Sequence, residues 1–342
     1  MRIAILSPVW FPVPPTGYGG IEWVVSLLAD GLADAGHDVT LFASGDSRTR
    51  AKLDAVFPEP PPTYIGMSWA ELRHALPCFE RAAEFDVIND HSSQVAMALG
   101  GLVETPVVHT VHGPLDEHPL ANYRGVAKLA PQVGLISISM NQRKPAPELP
   151  WVGNVPNALD LDAYPYHSKR GEYLLYLGRL SPDKGAHRAI EIAREAGLPI
   201  KLAGKKREHA EQEYFDTMVK PLLGTDAEYL GETSHALKVD LLQNARATLF
   251  PIDWEEPFGL VMIESMACGT PVIATRRGAV PEVVDDGRSG IIVDDYRHMV
   301  AAIARADELD PVECRRAAEE HYSIERMVAD YVAVYEAART PA

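Results

Sequence analysis

The chain has 342 residues, 46% hydrophobic and 23% charged, a balance that excludes a disordered polymer and suits two globular domains better than one. Its formal net charge of -16 argues against nucleic acid and against docking on an anionic membrane, since both need clustered Lys and Arg. A local basic patch can still hold a diphosphate.

The chain opens with Ile3-Ala4-Ile5-Leu6, an apolar run too short for a signal peptide and closed by Ser7-Pro8. Strands are predicted at Arg2–Ser7, Val39–Ala43, Val87–Asn89, Val107–Thr110 and Gly134–Ser137, with helices near Ile21–Ala35, Trp69–Glu84 and Gln94–Leu99. Val24, Leu27, Leu28 and Leu32 recur at helical spacing, and Gly36 ends that helix. Pro58–Pro62 reads as a local loop. The segment from Pro150 to Ala158, rich in prolines and small residues, reads as a hinge between two halves.

The second half repeats the alternation. Strands are predicted at Tyr173–Leu177, Ile200–Ala203, Glu228–Leu230, Thr248–Pro251, Val272–Ala274 and Gly290–Val293. Helices are expected near Ala186–Ala196, His209–Lys220, Ala236–Asn244 and Leu260–Ala267, then Tyr296–Ala306 and Ile324–Ala338. Strand–helix alternation of this kind implies α/β domains with parallel sheets. The domains are placed at 1–157 and 158–323, with 324–342 as a closing helix. No run of about 18 apolar residues suggests a membrane helix. Cys78, Cys268 and Cys314 are odd in number and far apart, which fits a reducing compartment. A soluble, cytoplasmic protein is expected.

The strongest chemical signal is Trp254-Glu255-Glu256-Pro257-Phe258-Gly259-Leu260-Val261-Met262-Ile263-Glu264, a strand exit running into a helix start. Unpaired N–H groups at a helix start suit a phosphate, and Gly259 permits close approach. Glu264, one turn in, can accept hydrogen bonds from a ribose, and Glu256 can face a sugar held further out. The plainer reading of both glutamates is a favourable interaction with the helix dipole.

Arg179 and Lys184 bracket the loop Gly178-Arg179-Leu180-Ser181-Pro182-Asp183-Lys184-Gly185 after another strand, where α/β sheets bind ligands. They can converge on a diphosphate, the alternative being two solvated cations. Gly17-Tyr18-Gly19-Gly20-Ile21-Glu22 is glycine-rich before a helix, a weak phosphate signal and not a dinucleotide or P-loop fingerprint. In His109-Thr110-Val111-His112, His109 is expected inside the strand and His112 at its functional exit. Three residues apart on an extended chain, the two face opposite ways and make no zinc site. Asp160-Leu161-Asp162, Asp285-Asp286-Gly287 and Asp294-Asp295 read as structural.

Together these segments resemble the retaining glycosyltransferases of family 4, which have the GT-B architecture of two Rossmann-like domains facing a central cleft. The likeness runs over nearly the whole chain. It is densest at Gly178-Arg179…Lys184-Gly185, Tyr229-Leu230-Gly231, Glu256…Glu264, Ala267–Ile273 and Gly278–Glu282, with Gly19–Glu22, Gly36–Val39 and Thr110–Gly113 in the first half. The resemblance implies that Arg179 and Lys184 neutralise the donor diphosphate with the amides of Phe258, Gly259 and Leu260. It implies that Glu264 holds the ribose, that Tyr229, Leu230 and Gly231 border the base, and that Gly178 and Gly204 also line the nucleotide-sugar. Glu256 would lie by the donor sugar and His112 would touch it, while Gly19 and Gly20 approach the phosphates or acceptor.

The implied reaction keeps the anomeric configuration and needs no metal or cofactor. The implied substrates are a nucleotide-sugar and a hydroxyl-bearing acceptor; a UDP-sugar is expected ahead of a GDP-, ADP- or dTDP-sugar, though these motifs do not encode the base, and the last helix is expected to return to the first domain at Tyr331–Ala338. Ala158, Gly204-Lys205-Lys206 and Ala279 depart from the family's usual glycines, and Lys205 and Arg207 can be either diphosphate cations or solvated charges. Trp10, Phe11, Tyr18, Trp69 and Tyr123 mark a candidate face for a small-molecule or oligosaccharide acceptor. A GT-B epimerase and a non-catalytic nucleotide-sugar-binding protein are the alternatives.

Overall fold

The computed structural model describes residues 1–17, 19–61 and 66–340, so Tyr18 of the glycine-rich segment and Pro62 of the Pro-rich loop lie outside the described residues. The chain divides into two compact units, one formed by Met1–Ala158 with Ile324–Ala342 and the other by Leu159–Ser323.

The first unit is built on a parallel sheet of β1 (Arg2–Leu6), β2 (Asp38–Phe42), β3 (Lys52–Asp54), β4 (Val87–Asp90), β5 (Val107–Val111), β6 (Gly134–Ser137) and β7 (Trp151–Asn154). Its spatial order is β3-β2-β1-β4-β5-β6-β7. Between the strands run α1 (Gly20–Asp34), α2 (Ser68–Glu80), α3 (Gln94–Leu99) and α4 (Glu117–Leu129). Crossover helices shield both faces of such a sheet, which is why β4 and β5 are buried along their whole length. Val24, Leu28 and Leu32 of the predicted stripe are at most 2% exposed.

The expected hinge is different: Trp151–Asn154 is strand β7, paired in parallel with β6. A Trp whose indole N–H reaches the Ala146 carbonyl at 2.9 Å, and a Gly at the sheet edge, override the turn-like composition. The terminal helix Ile324–Arg339 belongs to this unit, and a Cβ on Gly153 of β7 would sit 2.5 Å from Val334 Cγ2. Its Tyr331 and Tyr335 hydroxyls are buried at the sheet.

The second unit carries the parallel strands β8 (Tyr173–Leu177), β9 (Ile200–Ala203), β10 (Ala227–Tyr229), β11 (Ala245–Phe250), β12 (Val272–Thr275) and β13 (Gly290–Val293), in the order β10-β9-β8-β11-β12-β13. Helices α5 (Ala186–Glu195), α6 (His209–Tyr214), α7 (His235–Gln243), α8 (Leu260–Ala267), α9 (Val280–Val283), α10 (Met299–Arg305) and α11 (Pro311–His321) complete it. The helix expected over 209–220 is α6 followed by a π turn, Phe215–Val219, and a short 3-10 turn. Its core packs Leu174, Tyr176, Ile190, Leu202, Leu249 and Ile273 between sheet and helices. Cys78, Cys268 and Cys314 are free and buried. No helix among the described residues is long and apolar enough to cross a membrane.

Candidate functional site

In a parallel α/β sheet, ligands meet the loops at the carboxyl ends of the strands. In the second unit those ends are laced together. The Gly178 N–H donates to the Ala203 carbonyl, the Gly204 N–H to the Gly231 carbonyl and the Leu230 N–H to the Leu202 carbonyl, at 2.9–3.1 Å. The Tyr229 hydroxyl donates to the Gly204 carbonyl at 2.8 Å. Gly204 has no substitute, because a Cβ there would lie 1.7 Å from the Gly178 carbonyl oxygen. Gly178, Gly204, Tyr229, Leu230 and Gly231 therefore form one surface over the ends of β8, β9 and β10.

Arg179 and Lys184 stand on the loop after β8, beside the loop after β11. The Asp253 N–H ties the two loops by donating to the Asp183 carbonyl at 2.8 Å. Lys184 is ion-paired with Glu256 and lies 4.4 Å from the centre of the Trp254 ring. The Trp254 indole N–H donates to the same Glu256 oxygen, Oε2, at 3.1 Å. Lysine and glutamate, 72 residues apart in sequence, are thus brought together as one nearly buried pair. Arg179 is held more loosely, 3.6 Å from Asp183 and 3.9 Å from Glu211, distances that leave its guanidinium fork open to an anion.

Lys205 lies inward, its side chain 10% exposed and its Nζ 3.7 Å from Glu211. Arg207 instead pairs with Glu232 at the surface. Lys205 turns its charge to Glu211, the carboxylate that Arg179 also approaches, whereas Arg207 reaches Glu211 with its backbone N–H alone, at 2.7 Å.

Gly259 begins α8 in the left-handed region, with φ of 87°, which a side chain would strain. At the start of α8 the Met262 N–H donates to the Gly259 carbonyl at 3.0 Å, and the N–H groups ahead of it have no acceptor one turn back in the helix. The Phe258 ring is buried edge-on against Tyr322 at 5.8 Å, so only its backbone can serve a ligand. Glu264, the predicted ribose group, is gripped on one oxygen. Its Oε1 accepts from the Tyr164 hydroxyl at 2.8 Å and from Lys238 Nζ at 2.6 Å. Tyr164 is itself anchored, because Arg315 of α11 donates to the carbonyls of Leu161, Tyr164 and Ala267. Burial, then the Glu264 charge, drive the Tyr164 hydroxyl well above its ordinary pKa, so it remains a donor.

In the first unit His109 is buried in β5 and shared between Asp90 at 2.5 Å and the Tyr123 hydroxyl at 2.9 Å. Tyr123, counted among acceptor-facing aromatics, is therefore a core residue. Trp69 is 46% exposed. His112 at the exit of β5 bonds His91 through Nε2 at 2.8 Å, the rings stacked 5.1 Å apart. Burial, with His109 adding repulsion, pushes the His112 pKa down to about 3, so it is neutral in the working range. Gly19 caps α1 and Gly20 opens it, one turn ahead of a buried Glu22 whose pKa burial raises to about 7.

Local sequence does not announce Tyr164, Lys238, Glu211 and Arg315, nor Asn89, His91 and Tyr335. The only local signal was polar Asn89-Asp90-His91 at the end of a strand otherwise apolar; the others are joined to the site by the fold alone. Among the described residues, no group of three or more His, Cys, Asp or Glu is placed to hold a metal ion.

Two parallel α/β units, one with cations and a helix start gathered at its strand ends, define a glycosyltransferase of the GT-B fold. Residues 165–322 match the family model "Glycosyl transferases group 1", and residues 18–135 match "Glycosyltransferase Family 4". Glycogen synthase of Mycobacterium tuberculosis is 27% identical, over 97% of this chain and 91% of that protein. Phosphatidyl-myo-inositol mannosyltransferase of Mycolicibacterium smegmatis is 29% identical, over 89% and 84%. The crystal structure of AviGT4, a glycosyltransferase involved in Avilamycin A biosynthesis, matches with a TM-score of 0.72 at 27% identity, over 99% of this chain and 98% of that one. Anabaena Alr3699/HepE in complex with UDP-glucose shares the fold, with a TM-score of 0.75 at 18% identity and coverage of 98% and 100%. The chain belongs to the family 4 glycosyltransferases and takes a nucleotide-sugar donor.

Proposed function

We propose that the chain is a retaining, metal-independent transferase that moves a sugar from a UDP-sugar to a hydroxyl of a small-molecule or oligosaccharide acceptor in the cytoplasm. The observation that carries this reading is the Arg179, Lys184 and Lys205 cation set at the ends of β8 and β9, in the same unit as the open first turn of α8. Fixed cations and N–H dipoles of this kind stabilise a departing diphosphate without reorganisation. UDP is favoured because a fold neighbour is seen with UDP-glucose, and a natural-product-like acceptor because a 27% identical relative works in avilamycin biosynthesis.

In the reaction the bond between the anomeric carbon and the β-phosphate oxygen breaks, and the acceptor oxygen bonds to that carbon on the same face. The acceptor proton passes to the leaving phosphate oxygen, giving UDP and the glycoside. Arg179 and Lys184 take the diphosphate charge. As the family resemblance implies, Glu264 holds the ribose, Glu256 faces the sugar and His112 touches it. The N-terminal unit is assigned the acceptor and Leu159–Ser323 the donor.

The test is turnover of a UDP-, GDP-, ADP- and dTDP-sugar panel in EDTA, with the product's anomeric configuration read by NMR. UDP-sugar turnover with retained configuration supports the proposal; inversion, or turnover that requires added metal, overturns it.

A further inference from the structure

The partners of His112 determine where its proton sits. Asn89 is fully buried, and its Nδ2 donates to the Val108 carbonyl at 3.3 Å and to Thr110 Oγ1 at 3.1 Å. A carbonyl oxygen can only accept, so the Asn89 amide has one allowed orientation. Its Oδ1 then faces His91 Nε2 at 2.9 Å and the Tyr335 hydroxyl at 2.6 Å. That oxygen also only accepts, so His91 Nε2 carries a hydrogen and Tyr335 donates. A neutral imidazole has a single N–H, which leaves His91 Nδ1 bare. The atom facing it at 2.8 Å is His112 Nε2, which must donate.

His91 is 2% exposed, and the nearby carboxylate Asp90 is occupied by His109 and Ser92. Burial first, then the neighbouring His112 and His109, keeps its pKa well below the ordinary value, consistent with a neutral ring.

We propose that Tyr335, Asn89 and His91 are positioning residues that lock His112 in the Nε2–H tautomer, so that the atom it offers a ligand is the bare acceptor Nδ1. A neutral acceptor cannot hold a phosphate oxygen, so His112 serves a hydroxyl donor and takes no part in neutralising the diphosphate. That hydroxyl is a sugar hydroxyl only under the transferase reading above; the tautomer itself does not depend on that reading. The relay also gives the terminal helix a part in the chemistry, since Tyr335 lies 246 residues from Asn89 in sequence.

The test is nitrogen NMR of the full chain labelled at histidine, without substrate, with His112 assigned by the signal missing from His112→Gln. The expected spectrum shows His112 with protonated Nε2 and unprotonated Nδ1, unchanged from about pH 8 to about pH 5. A protonated Nδ1, or a wild-type mixture of tautomers, overturns the proposal. In Asn89→Leu and in His91→Phe, which keeps the stacked ring, His112 is expected to become a mixture. Persistence of the pure Nε2–H form in a folded variant shows that the relay is not the lock. Should neither variant fold, the wild-type spectrum alone decides the tautomer. Loss of UDP-sugar turnover with an intact tautomer pattern would count against the transferase reading and leave this assignment standing.

Discussion

Lys184→Met removes the ammonium from the Glu256 carboxylate while keeping most of the side-chain volume. The pair is nearly buried, the two side chains 16% and 9% exposed, so water restores little of the lost interaction. Removing one member of a buried pair costs about 3–5 kcal/mol, because the other charge is left uncompensated. The Trp254 indole N–H is bound to Glu256 at 3.1 Å before and after the change, so the stranded carboxylate keeps one donor and the ion-pair part of the cost falls to about 2 kcal/mol. Loss of the cation over the Trp254 ring adds about 1 kcal/mol back to the cost. A net loss of about 3 kcal/mol is therefore expected. Glu256→Gln, which strands an ammonium better able to reach water, is expected to cost about 2 kcal/mol. In the double variant neither charge is stranded, so its cost should stay near about 2 kcal/mol, a coupling of about 3 kcal/mol. Urea unfolding of the four proteins, with the slope checked for constancy, gives these values. Additive losses, or a Lys184→Met cost under about 1 kcal/mol, would show that the pair behaves as a solvated surface contact.

Glu22 offers a pH signature. Burial raises its pKa from 4.5 to about 7, so the protonated form favours the fold below pH 4.5 and that stability drains away as pH rises to about 7. The loss amounts to about 3 kcal/mol, and Glu22→Gln should gain that much on the wild type between about pH 4 and pH 8, read from denaturant midpoints. A difference that stays flat with pH would refute it. Tyr164→Phe leaves Lys238 alone on Glu264 Oε1, and UDP affinity should fall about fivefold, a loss of about 1 kcal/mol, while 2′,3′-dideoxy-UDP affinity is unchanged. Equal losses for both nucleotides would show that Tyr164 does not act through the ribose.

The fold was legible because parallel sheets write themselves as short apolar runs between amphipathic ones. Gly134–Ser137, Tyr173–Leu177 and Gly290–Val293 fall where the hydrophobic pattern puts them. The pattern fails where the tertiary environment outweighs composition. Trp151–Asn154 looks like a turn yet joins the sheet edge, and α4 has only Tyr123 buried, so Glu117–Leu129 shows little apolar periodicity. Helix α11 escapes the hydrophobic pattern for the same reason: its face toward the unit is Cys314, Ala317 and Ala318, small residues in a charged run.

At the site, Arg179, Lys184, Glu256, Gly259 and Glu264 could be picked out because each stands next to a strand exit or helix start that local sequence announces. What grips them could not. Tyr164 reaches Glu264 across 100 residues, and Tyr335 reaches Asn89 across 246. Such pairings are set by strand order, which one sequence does not display. Lys205 and Arg207 were equivalent as letters; only their burial separates the inward cation from the surface one.

The most direct test of the account is calorimetric titration of the wild-type chain and Arg179→Ala with UDP in the presence of EDTA. The account predicts binding to the wild type without metal, and at least about tenfold weaker binding to Arg179→Ala, since about 1.4 kcal/mol or more is lost with a charged hydrogen bond. Absence of UDP binding in EDTA, or equal affinity in the two proteins, would contradict the diphosphate site placed at the ends of β8 and β9.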